Sequence, residues 1–498
     1  MDWSPEALAE LRALLGDDGV LDSEAARFTY EADALTIERG RPDVVVLPRS
    51  TDEVAALVRW ARAHRVPVTA RGAGTGLAGG STPHLGGIVL SVNRMDRVLR
   101  VDAERMFAWV QPGLVNLELS RQTAPLGLCY APDPASQQVS TIGGNVAANA
   151  GGPHCLKYGV TFNHTLGVVV VLHDGSVVQL GGEACDAPDH DLASIVTGSE
   201  GTLGIITEIC VRLVPVPEAV ETMLFDFADV GDACRAVSAV IASGMVPAAM
   251  EIMDTPTIEV VEGWLHLGLP LDAGGVLLIE VDGPASSLGP QVERIGAIAR
   301  DHHARATRVA RDAEERAALW RGRKSAFGAY SRTGRGFLIM DGVVPRTRLA
   351  EALAAIYALA RERGLSAGNV FHAGDGNLHP HILFDYDDPA AQQAALEISH
   401  EILRLCIRMG GTISGEHGVG IEKVPLMREL YAPEDLALME RLRGAFDPDH
   451  LLNPCKVLPG GAGCGEAGAH RPGAGGAARA PVQLGSMRTA GDKEGPWI

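Results

Sequence analysis

The chain has 498 residues, of which 46% are hydrophobic, and a formal net charge of −19. This length predicts at least two domains, and the apolar content excludes a chain that is disordered throughout. The acidic balance argues against nucleic acid or anionic lipid as the main partner. The first residues lack the basic and apolar regions of a signal peptide, and the apolar runs are too short to predict a transmembrane segment.

The eight cysteines lie at positions 129, 155, 185, 210, 234, 406, 455 and 464, and none forms a CxxC pair. This pattern predicts reduced thiols, as in a cytoplasmic protein, and offers no framework for an iron–sulfur cluster or a zinc ribbon. Because the apolar runs are too short to span a bilayer, any contact with the inner membrane is expected to be peripheral or to be made through a partner.

In chain order, residues 1–41 predict short helices. The apolar run Val44–Pro48 predicts a buried strand, and a serine–glutamate capping-box spacing then begins a helix. Val66–Ala70 and Gly86–Val92 predict the next two strands, and the glycine-rich loop RGAGTGLAGGSTP lies between them.

Two further glycine-rich segments, Ser140–Gly152 and Thr197–Glu218, flank a predicted hairpin with an Asp-Gly turn. The first loop matches G-x-G-x-x-G, but a strand follows it instead of a helix, which disfavours a Rossmann crossover. Consecutive backbone N–H groups in such a loop can instead surround a diphosphate. Three glycine segments in one domain favour nucleotide binding over simple turns.

The second half alternates helical and strand patterns, which predicts an α+β domain. The helical patterns are Val230–Ser243, Leu349–Arg363 and Gln392–Met409, and the strand patterns are Val276–Val281, Phe337–Met340 and His381–Phe384. After Pro459 the composition changes to Gly, Ala and Pro, which predicts a disordered tail. The predicted division is an N-terminal segment 1–41, domains 42–218 and 219–459, and a tail 460–498.

Two short segments of the second domain concentrate histidine and glutamate between glycines. Phe371–His381 and Ile413–Gly418 contain His372, His379, His381, Glu416 and His417. Two imidazoles and a carboxylate suit a divalent metal such as Zn²⁺, Mn²⁺ or Fe²⁺. A metal site and a nucleotide cofactor in one chain suggest an oxidoreductase.

Three segments resemble the FAD-binding domain of the vanillyl-alcohol-oxidase/PCMH superfamily: PRSTDEVAALVRWARAHRVPVTARGAGTGLAGG, PDPASQQVSTIGGNVAANAGGPHCLKYGVT and TGSEGTLGIITE. The second half resembles the FAD-linked oxidase C-terminal domain. The resemblance runs from about Val44 to Pro459 and is to the family of the glycolate oxidase FAD subunit and the D-lactate and D-2-hydroxyglutarate dehydrogenases. It implies an α+β fold, in which a PCMH-type FAD-binding domain of two subdomains precedes an α+β substrate and metal domain.

The resemblance also implies which residues contact FAD. These are Arg71, Gly72, Ala73, Gly74, Thr75, Gly76, Leu77, Gly79, Pro132, Asp133, Ser136, Thr141, Gly143, Gly144, Asn145, Gly151, Glu200, Gly201, Gly204, Ile205, Thr207 and Asn453. Relatives with covalent flavin carry a histidine in the first loop, where this chain has Thr75. The resemblance therefore implies non-covalent FAD.

By the same resemblance, His372, His379 and Glu416 are the metal ligands, His381 faces the substrate, and His417 is the catalytic base. Arg323 would hold the substrate carboxylate as a bidentate fork. A 2-hydroxy acid can chelate the metal, which lowers the pKa of its hydroxyl group so that a neutral histidine can take the proton. The hydride then passes to the flavin.

Arg332–Met340 and Met340–Val344 depart from the glycolate oxidase pattern near the expected pocket, which leaves the identity of the substrate open. Cys455 is a further departure, at a position outside that pocket. One alternative is a D-2-hydroxyglutarate dehydrogenase, with Lys324, Arg332 or Arg335 at the second carboxylate. Another is a non-catalytic flavin carrier in a complex, since such relatives work with an iron–sulfur or second FAD-binding subunit. A metallohydrolase would leave the glycine loops unexplained. Oligomeric state is left open.

Overall fold

In a computed structural model, which describes residues 3–184 and 190–460, the chain begins with a small sheet that carries the first glycine loop. Its elements are α1 (Pro5–Leu15), β1 (Val20–Leu21), α2 (Glu24–Phe28), β2 (Val44–Val46), α3 (Thr51–Ala63), β3 (Val68–Arg71) and β4 (Ile88–Ser91). The strand order is β1-β2-β4-β3, and β4 is parallel to both of its neighbours. The connection from β3 to β4 contains the glycine loop and no helix, as the sequence predicts.

Local sequence explains this layer. The Ser50 side chain accepts a hydrogen bond from the Glu53 amide at 3.2 Å, and the Glu53 carboxylate accepts one from the Arg49 amide at 2.7 Å. These bonds satisfy amides at the start of α3 that would otherwise lack partners. All three residues of β2 are buried valines, whose apolar side chains hold the sheet against α3.

A second sheet, wholly antiparallel, follows in the order β5-β6-β10-β8-β9. This part of the chain contains β5 (Val98–Asp102), β6 (Phe107–Val110), α4 (Asn116–Thr123), β7 (Leu128–Cys129), α5 (Ile142–Ala148), α6 (Cys155–Tyr158), β8 (Thr165–Val171), β9 (Val177–Gly181), α7 (Leu192–Val196), β10 (Ile205–Arg212) and β11 (Val214–Pro215). The predicted hairpin is β8–β9. Short β7 and β11 pair with each other.

The glycine-rich segment Ser140–Gly152 contains a helix, α5, that is not predicted from the sequence. Thr141 caps this helix by accepting a hydrogen bond from the Gly144 amide at 3.2 Å. Ile142 and Val146 are four residues apart and fully buried, so they anchor one face of the helix despite the glycines.

The remaining chain builds a nine-stranded antiparallel sheet and the helices that cover it. Its elements are β12 (Ala219–Phe227), α8 (Val230–Ala242), β13 (Ala249–Asp254), α9 (Thr255–Leu265), β14 (Gly275–Gly283), α10 (Ala285–Asp301), β15 (Ala304–Val309), α11 (Ala313–Lys324), α12 (Ala326–Ser331), β16 (Gly336–Ile339), β17 (Gly342–Val343), α13 (Leu349–Glu362), β18 (Ser366–His372), β19 (Asn377–Leu378), β20 (Pro380–Phe384), α14 (Pro389–Arg408), α15 (Met427–Leu430) and α16 (Pro433–Phe446). The main path runs β15-β12-β14-β13-β18-β19-β17, and β20 pairs with both β18 and β16. The three helices and three strands predicted here are present, with ends shifted by a few residues.

The last described residues return to the first sheet. The amide of Val68 donates to the Leu451 carbonyl and the Asn453 amide donates to the Val68 carbonyl, both at 2.8 Å. The buried Lys456 ammonium donates to the Thr82 carbonyl at 2.7 Å. This return holds the C-terminal segment beside the first glycine loop.

Three features bear on earlier predictions. Among the described residues, no helix is long and apolar enough to cross a bilayer. Residues 461–498 of the predicted tail lie outside the described residues. Cys455 is disulfide-bonded, so the prediction of reduced thiols is wrong at that position. The spacing of cysteines along the chain could not reveal this, because a disulfide needs only that two sulfur atoms meet in space.

Candidate functional site

A cavity of about 620 Å³ is lined by residues from all three glycine-rich segments. Among the residues expected to contact FAD, those that line it are Arg71, Gly72, Ala73, Gly74, Thr75, Gly76, Leu77, Ser136, Thr141, Gly143, Gly144, Asn145, Glu200, Gly201, Gly204 and Ile205. Segments far apart in the sequence thus meet around one space. The first loop, the start of α5 and the turn before β10 form its walls.

The other six expected FAD residues are not among those lining the cavity. They are Gly79, Pro132, Asp133, Gly151, Thr207 and Asn453. Asn453 donates from its amide nitrogen to the carbonyls of Gly80 and Glu200 at 2.8 and 2.6 Å, so it ties two parts of the wall together from behind. The Thr207 hydroxyl donates to the Val169 carbonyl at 3.3 Å. A direct contact of these residues with FAD stays a prediction.

The wall fits a large anionic cofactor. An added Cβ at Gly76 or at Gly201 would have no atom closer than 3.6 Å, and both residues line the cavity, so the backbone there is open to a bound group. The buried Arg71 guanidinium donates to the Ala32 carbonyl at 2.9 Å and remains part of the lining. Backbone amides without side chains beside a fixed cation are suited to a diphosphate.

The same cavity extends to the second half of the chain. Its lining there includes Trp264, Lys324, Ser325, Phe327, Gly328, Glu416 and His417. Glu416 and His417 are site residues predicted from the sequence, and Lys324 is the predicted candidate cation. Trp264 and Phe327 are not predicted, because they have the ordinary spacing of apolar residues on α9 and α12.

The predicted metal ligands lie together. Nε2 of His372 is 3.1 Å from Oε1 of Glu416, and Nε2 of His379 is 3.0 Å from the same oxygen. One ligand atom from each residue lies within 4.8 Å of the others. Nε2 of His379 is buried, and the Glu416 oxygen 3.0 Å away is not aligned for a hydrogen bond with it. A divalent metal would satisfy this nitrogen, and the two imidazoles and carboxylate are ligands that Zn²⁺, Mn²⁺ and Fe²⁺ accept.

A buried carboxylate orients this cluster from behind. Glu251 of β13 is the cross-strand partner of His372 on β18, and its Oε1 lies 2.7 Å from Nδ1 of His372. Its Oε2 accepts a hydrogen bond from Nε of Arg323 at 2.5 Å. A carboxylate on Nδ1 fixes the histidine tautomer and directs Nε2 toward the cluster. Glu251 is not among the predicted site residues, although a lone glutamate inside the apolar strand Ala249–Asp254 is a signal that the sequence contains.

A second buried carboxylate holds the loop that carries Glu416 and His417. Asp341 accepts hydrogen bonds from the amides of Gly415, Glu416 and His417 at 3.1, 3.2 and 2.8 Å, and from the Lys423 ammonium at 3.1 Å. Burial alone would raise the pKa of Asp341, but His417 and Lys423 hold it well below its usual range. Asp341 is therefore ionised near pH 7 and anchors this loop through its hydrogen bonds.

His417 combines burial with access to the cavity. Its Nε2 lies 3.9 Å from Oε1 of Glu416, and its ring stacks on that of His379 with centroids 5.0 Å apart. Burial lowers the pKa of His417 to about 4, although Asp341 raises it. The ring is therefore neutral near pH 7 and can accept a proton.

His381 has a different environment. Its ring stacks on Tyr330 with centroids 4.5 Å apart, and its Nδ1 lies 2.9 Å from the His379 carbonyl oxygen. This contact makes Nδ1 the protonated nitrogen, since a carbonyl only accepts. Burial lowers the pKa of His381 to about 3, and its Nε2 has no hydrogen-bond partner.

A glycine-walled cavity that reaches a histidine–carboxylate cluster has the form of a flavin-dependent oxidoreductase site. Comparison with protein families agrees with this assignment. Residues 42–181 match the FAD binding domain, and residues 216–457 match the C-terminal domain of FAD linked oxidases. The chain belongs to the FAD-linked oxidases, and FAD is its cofactor.

Individual relatives support the family and the fold. The chain is similar to glycolate oxidase subunit GlcD of Escherichia coli strain K12, with 43% identity over 450 residues that cover 90% of each protein. It is 31% identical to a D-lactate dehydrogenase of Anaerostipes hadrus over 459 residues, which cover 90% of this chain and 95% of that protein. The solved structure of p-cresol methylhydroxylase with substrate bound has a TM-score of 0.76 at 18% identity, covering 91% of this chain and 96% of that one. The predicted family and the PCMH-type α+β fold are confirmed.

Proposed function

We propose that this protein oxidises a small 2-hydroxy acid, such as glycolate or D-lactate, to the 2-oxo acid, with FAD as hydride acceptor and a divalent metal at the substrate. One observation carries the proposal: the cavity lined by the three glycine segments is also lined by Glu416 and His417. The relatives named as glycolate oxidase subunits and D-lactate dehydrogenases support this substrate class.

His372, His379 and Glu416 are the proposed metal ligands, and a metal there would supply Lewis-acid polarisation of the substrate hydroxyl. The bound FAD would supply two-electron oxidation. We assign His417 as the base that takes the hydroxyl proton. Its Nε2 faces Glu416 at 3.9 Å, and its neutral ring leaves a nitrogen lone pair for that proton. His381 is proposed to border the substrate through its unpartnered Nε2.

Arg323 is the proposed ligand of the substrate carboxylate. Its Nε is already committed to Glu251, and its Nη2 lies 3.4 Å from Nδ1 of His372, a proposed metal ligand. Arg323 is not among the residues that line the cavity, so its contact with the substrate is proposed from the family resemblance. The terminal N–H groups would then make the bidentate contact, while Glu251 holds the arginine in place.

A second candidate is the oxidation of a dicarboxylic acid such as D-2-hydroxyglutarate, and Lys324 favours it. Among the described residues that line the cavity, the lysines and arginines are Arg71 and Lys324. Arg332, which we also considered, lies with its guanidinium 5.2 Å from the centre of the Trp264 ring. Lys324 would thus bind the second carboxylate.

We propose that FAD is bound without a covalent link to the protein, because the first glycine loop has Thr75 and no histidine. The relatives named as glycolate oxidase subunits support the existence of a partner subunit. We further propose that this partner carries an iron–sulfur cluster or a second FAD, and that the protein is cytoplasmic and reaches the inner membrane peripherally through that partner. We retain the division 1–41, 42–218, 219–459 and 460–498. The carrier and hydrolase alternatives have less support, since the family is one of FAD-linked oxidases.

The direct test is an anaerobic titration of the purified protein with glycolate, D-lactate, L-lactate and D-2-hydroxyglutarate, followed in the visible spectrum. We expect a flavin spectrum that bleaches with a 2-hydroxy acid, and the substrate with the highest rate of reduction identifies the class. A flavin spectrum that no hydroxy acid bleaches, with metal supplied, would contradict the proposal. If monocarboxylic and dicarboxylic substrates reduce the flavin at equal rates, Lys324 does not bind a second carboxylate.

A further inference from the structure

Glu200 makes contacts that its place in a glycine turn does not explain. It precedes Gly201 in the segment between α7 and β10, and its side chain points at a loop from the other half of the chain. Its Oε1 accepts hydrogen bonds from the amides of Val419 and Gly420 at 2.7 and 3.1 Å. Its Oε2 accepts a further one from Gly420 at 2.9 Å. Both carboxylate oxygens are therefore committed to the backbone of another segment.

The position of Glu200 is fixed from several sides. Its backbone has φ +53°, a left-handed conformation that is uncommon for residues other than glycine. Its amide donates to the Ala147 carbonyl at 2.8 Å, and its carbonyl accepts from Asn453 at 2.6 Å. An added Cβ at Gly418 would lie 2.7 Å from the Glu200 carboxylate, and one at Gly80 would lie 2.9 Å from it. The backbone at Gly418 and at Gly80 thus lies so close to this carboxylate that a residue with a side chain would not fit at either position.

The loop that Glu200 holds also contains Glu416 and His417. On one side, Asp341 accepts hydrogen bonds from the amides of these two residues, as described above. On the other side, the carboxylate of Glu200 and the carbonyl of Ala78, which accepts from the Ile421 amide at 2.9 Å, fix the residues that follow. The loop is held between one carboxylate from each half of the chain.

We propose that Glu200 is a positioning residue that couples the FAD-binding wall to the loop bearing Glu416 and His417. It acts through Val419 and Gly420 and sets how far Glu416 reaches toward His372 and His379. This inference rests on the proposed function, in which His372, His379 and Glu416 bind a metal. It differs from the predicted role of Glu200 in contacting the cofactor, because the carboxylate here is used by protein amides.

Two variants and a matched control test the inference on the FAD-loaded protein. Glu200→Gln replaces one acceptor oxygen by an NH₂ group that cannot accept from an amide. Glu200→Asp keeps the charge and tolerates the left-handed backbone, but its reach is one methylene shorter. Glu208→Gln on β10 is the control, because this partly buried glutamate makes none of these contacts. The dissociation constants for Mn²⁺ and Zn²⁺, by chelator competition, and for FAD, by absorbance titration, are measured together with kcat.

We expect metal affinity to fall about 10-fold or more in Glu200→Gln, in the range for residues that orient metal ligands, and less in Glu200→Asp. FAD affinity is expected to change by less than about threefold, and the control to match the parent protein in both constants. The inference would be overturned if both variants lost FAD affinity while their metal affinity stayed unchanged. Glu200 would then act in binding the cofactor. The metal constants need no substrate, so this result is independent of whether a 2-hydroxy acid reduces the parent protein.

Discussion

The two ends of the cavity are built in different ways. The FAD end consists of backbone from three glycine-rich segments, and side chains are absent where the cofactor would approach, as at Gly76 and Gly201. The opposite end depends on buried side chains: Asp341 fixes the loop whose Glu416 and His417 line the cavity, and Glu251 fixes the neighbouring His372. The backbone end should therefore tolerate changes that avoid steric overlap, whereas the side-chain end should depend on individual functional groups. This difference leads to distinct predictions for each end.

The largest effect is expected for His379→Ala. The substitution removes a proposed metal ligand without touching the glycine walls, so FAD should stay bound while turnover falls about 1,000-fold or more. A Lewis acid contributes several kcal/mol, and each 1.4 kcal/mol corresponds to about tenfold in rate. FAD occupancy is measured as flavin absorbance per protein, and metal occupancy as metal content. Turnover is measured with the 2-hydroxy acid that is oxidised fastest. His302→Ala, at the end of α10, is the control. Turnover that survives in His379→Ala would contradict the metal assignment.

Gly76→Val should give the opposite result. An added Cβ at Gly76 meets nothing closer than 3.6 Å, so the fold should tolerate valine while its methyl groups enter the cavity. We expect FAD affinity to fall at least about tenfold, equivalent to about 1.4 kcal/mol, with metal affinity unchanged. Gly444→Val on α16, where an added Cβ also has open space, is the matched control. If FAD binds Gly76→Val as it binds the control, the first loop does not adjoin the cofactor.

The two ends also differ in how much of them the sequence could predict. A glycine-rich segment can be recognised from consecutive residues alone. Accordingly, 16 of the 22 residues expected to contact FAD line the cavity. His379 and His381, which lie two residues apart, could likewise be recognised from the sequence. Glu251 could not, because its role depends on a strand pairing with His372, which lies 121 residues further along the chain. Trp264 and Phe327 look like ordinary apolar helix residues until the fold brings them to the cavity, and α5 was hidden by its own glycines.

His154 bridges the two halves behind the cavity and provides the smallest predicted effect. Its Nδ1 lies 2.9 Å from Asp133, and its Nε2 lies 3.1 Å from Glu280 on β14. Burial alone would lower the pKa of His154, but these two carboxylates raise it to about 10. The ring is therefore cationic between two carboxylates in the folded protein, although an unfolded histidine titrates near pH 6.5.

Because the folded pKa of His154 is the higher one, its stabilisation is fully present below about pH 6.5 and is lost as pH rises toward about 10. We expect the Tm of His154→Gln to be lower than that of the parent protein by roughly 3–5 °C at pH 6, because two buried carboxylates lose their cation. This gap should shrink steadily between pH 7 and pH 10, while His302→Gln shows no such trend. A gap that stays constant over this range would mean that the His154 ring is not cationic between the two carboxylates in the folded protein.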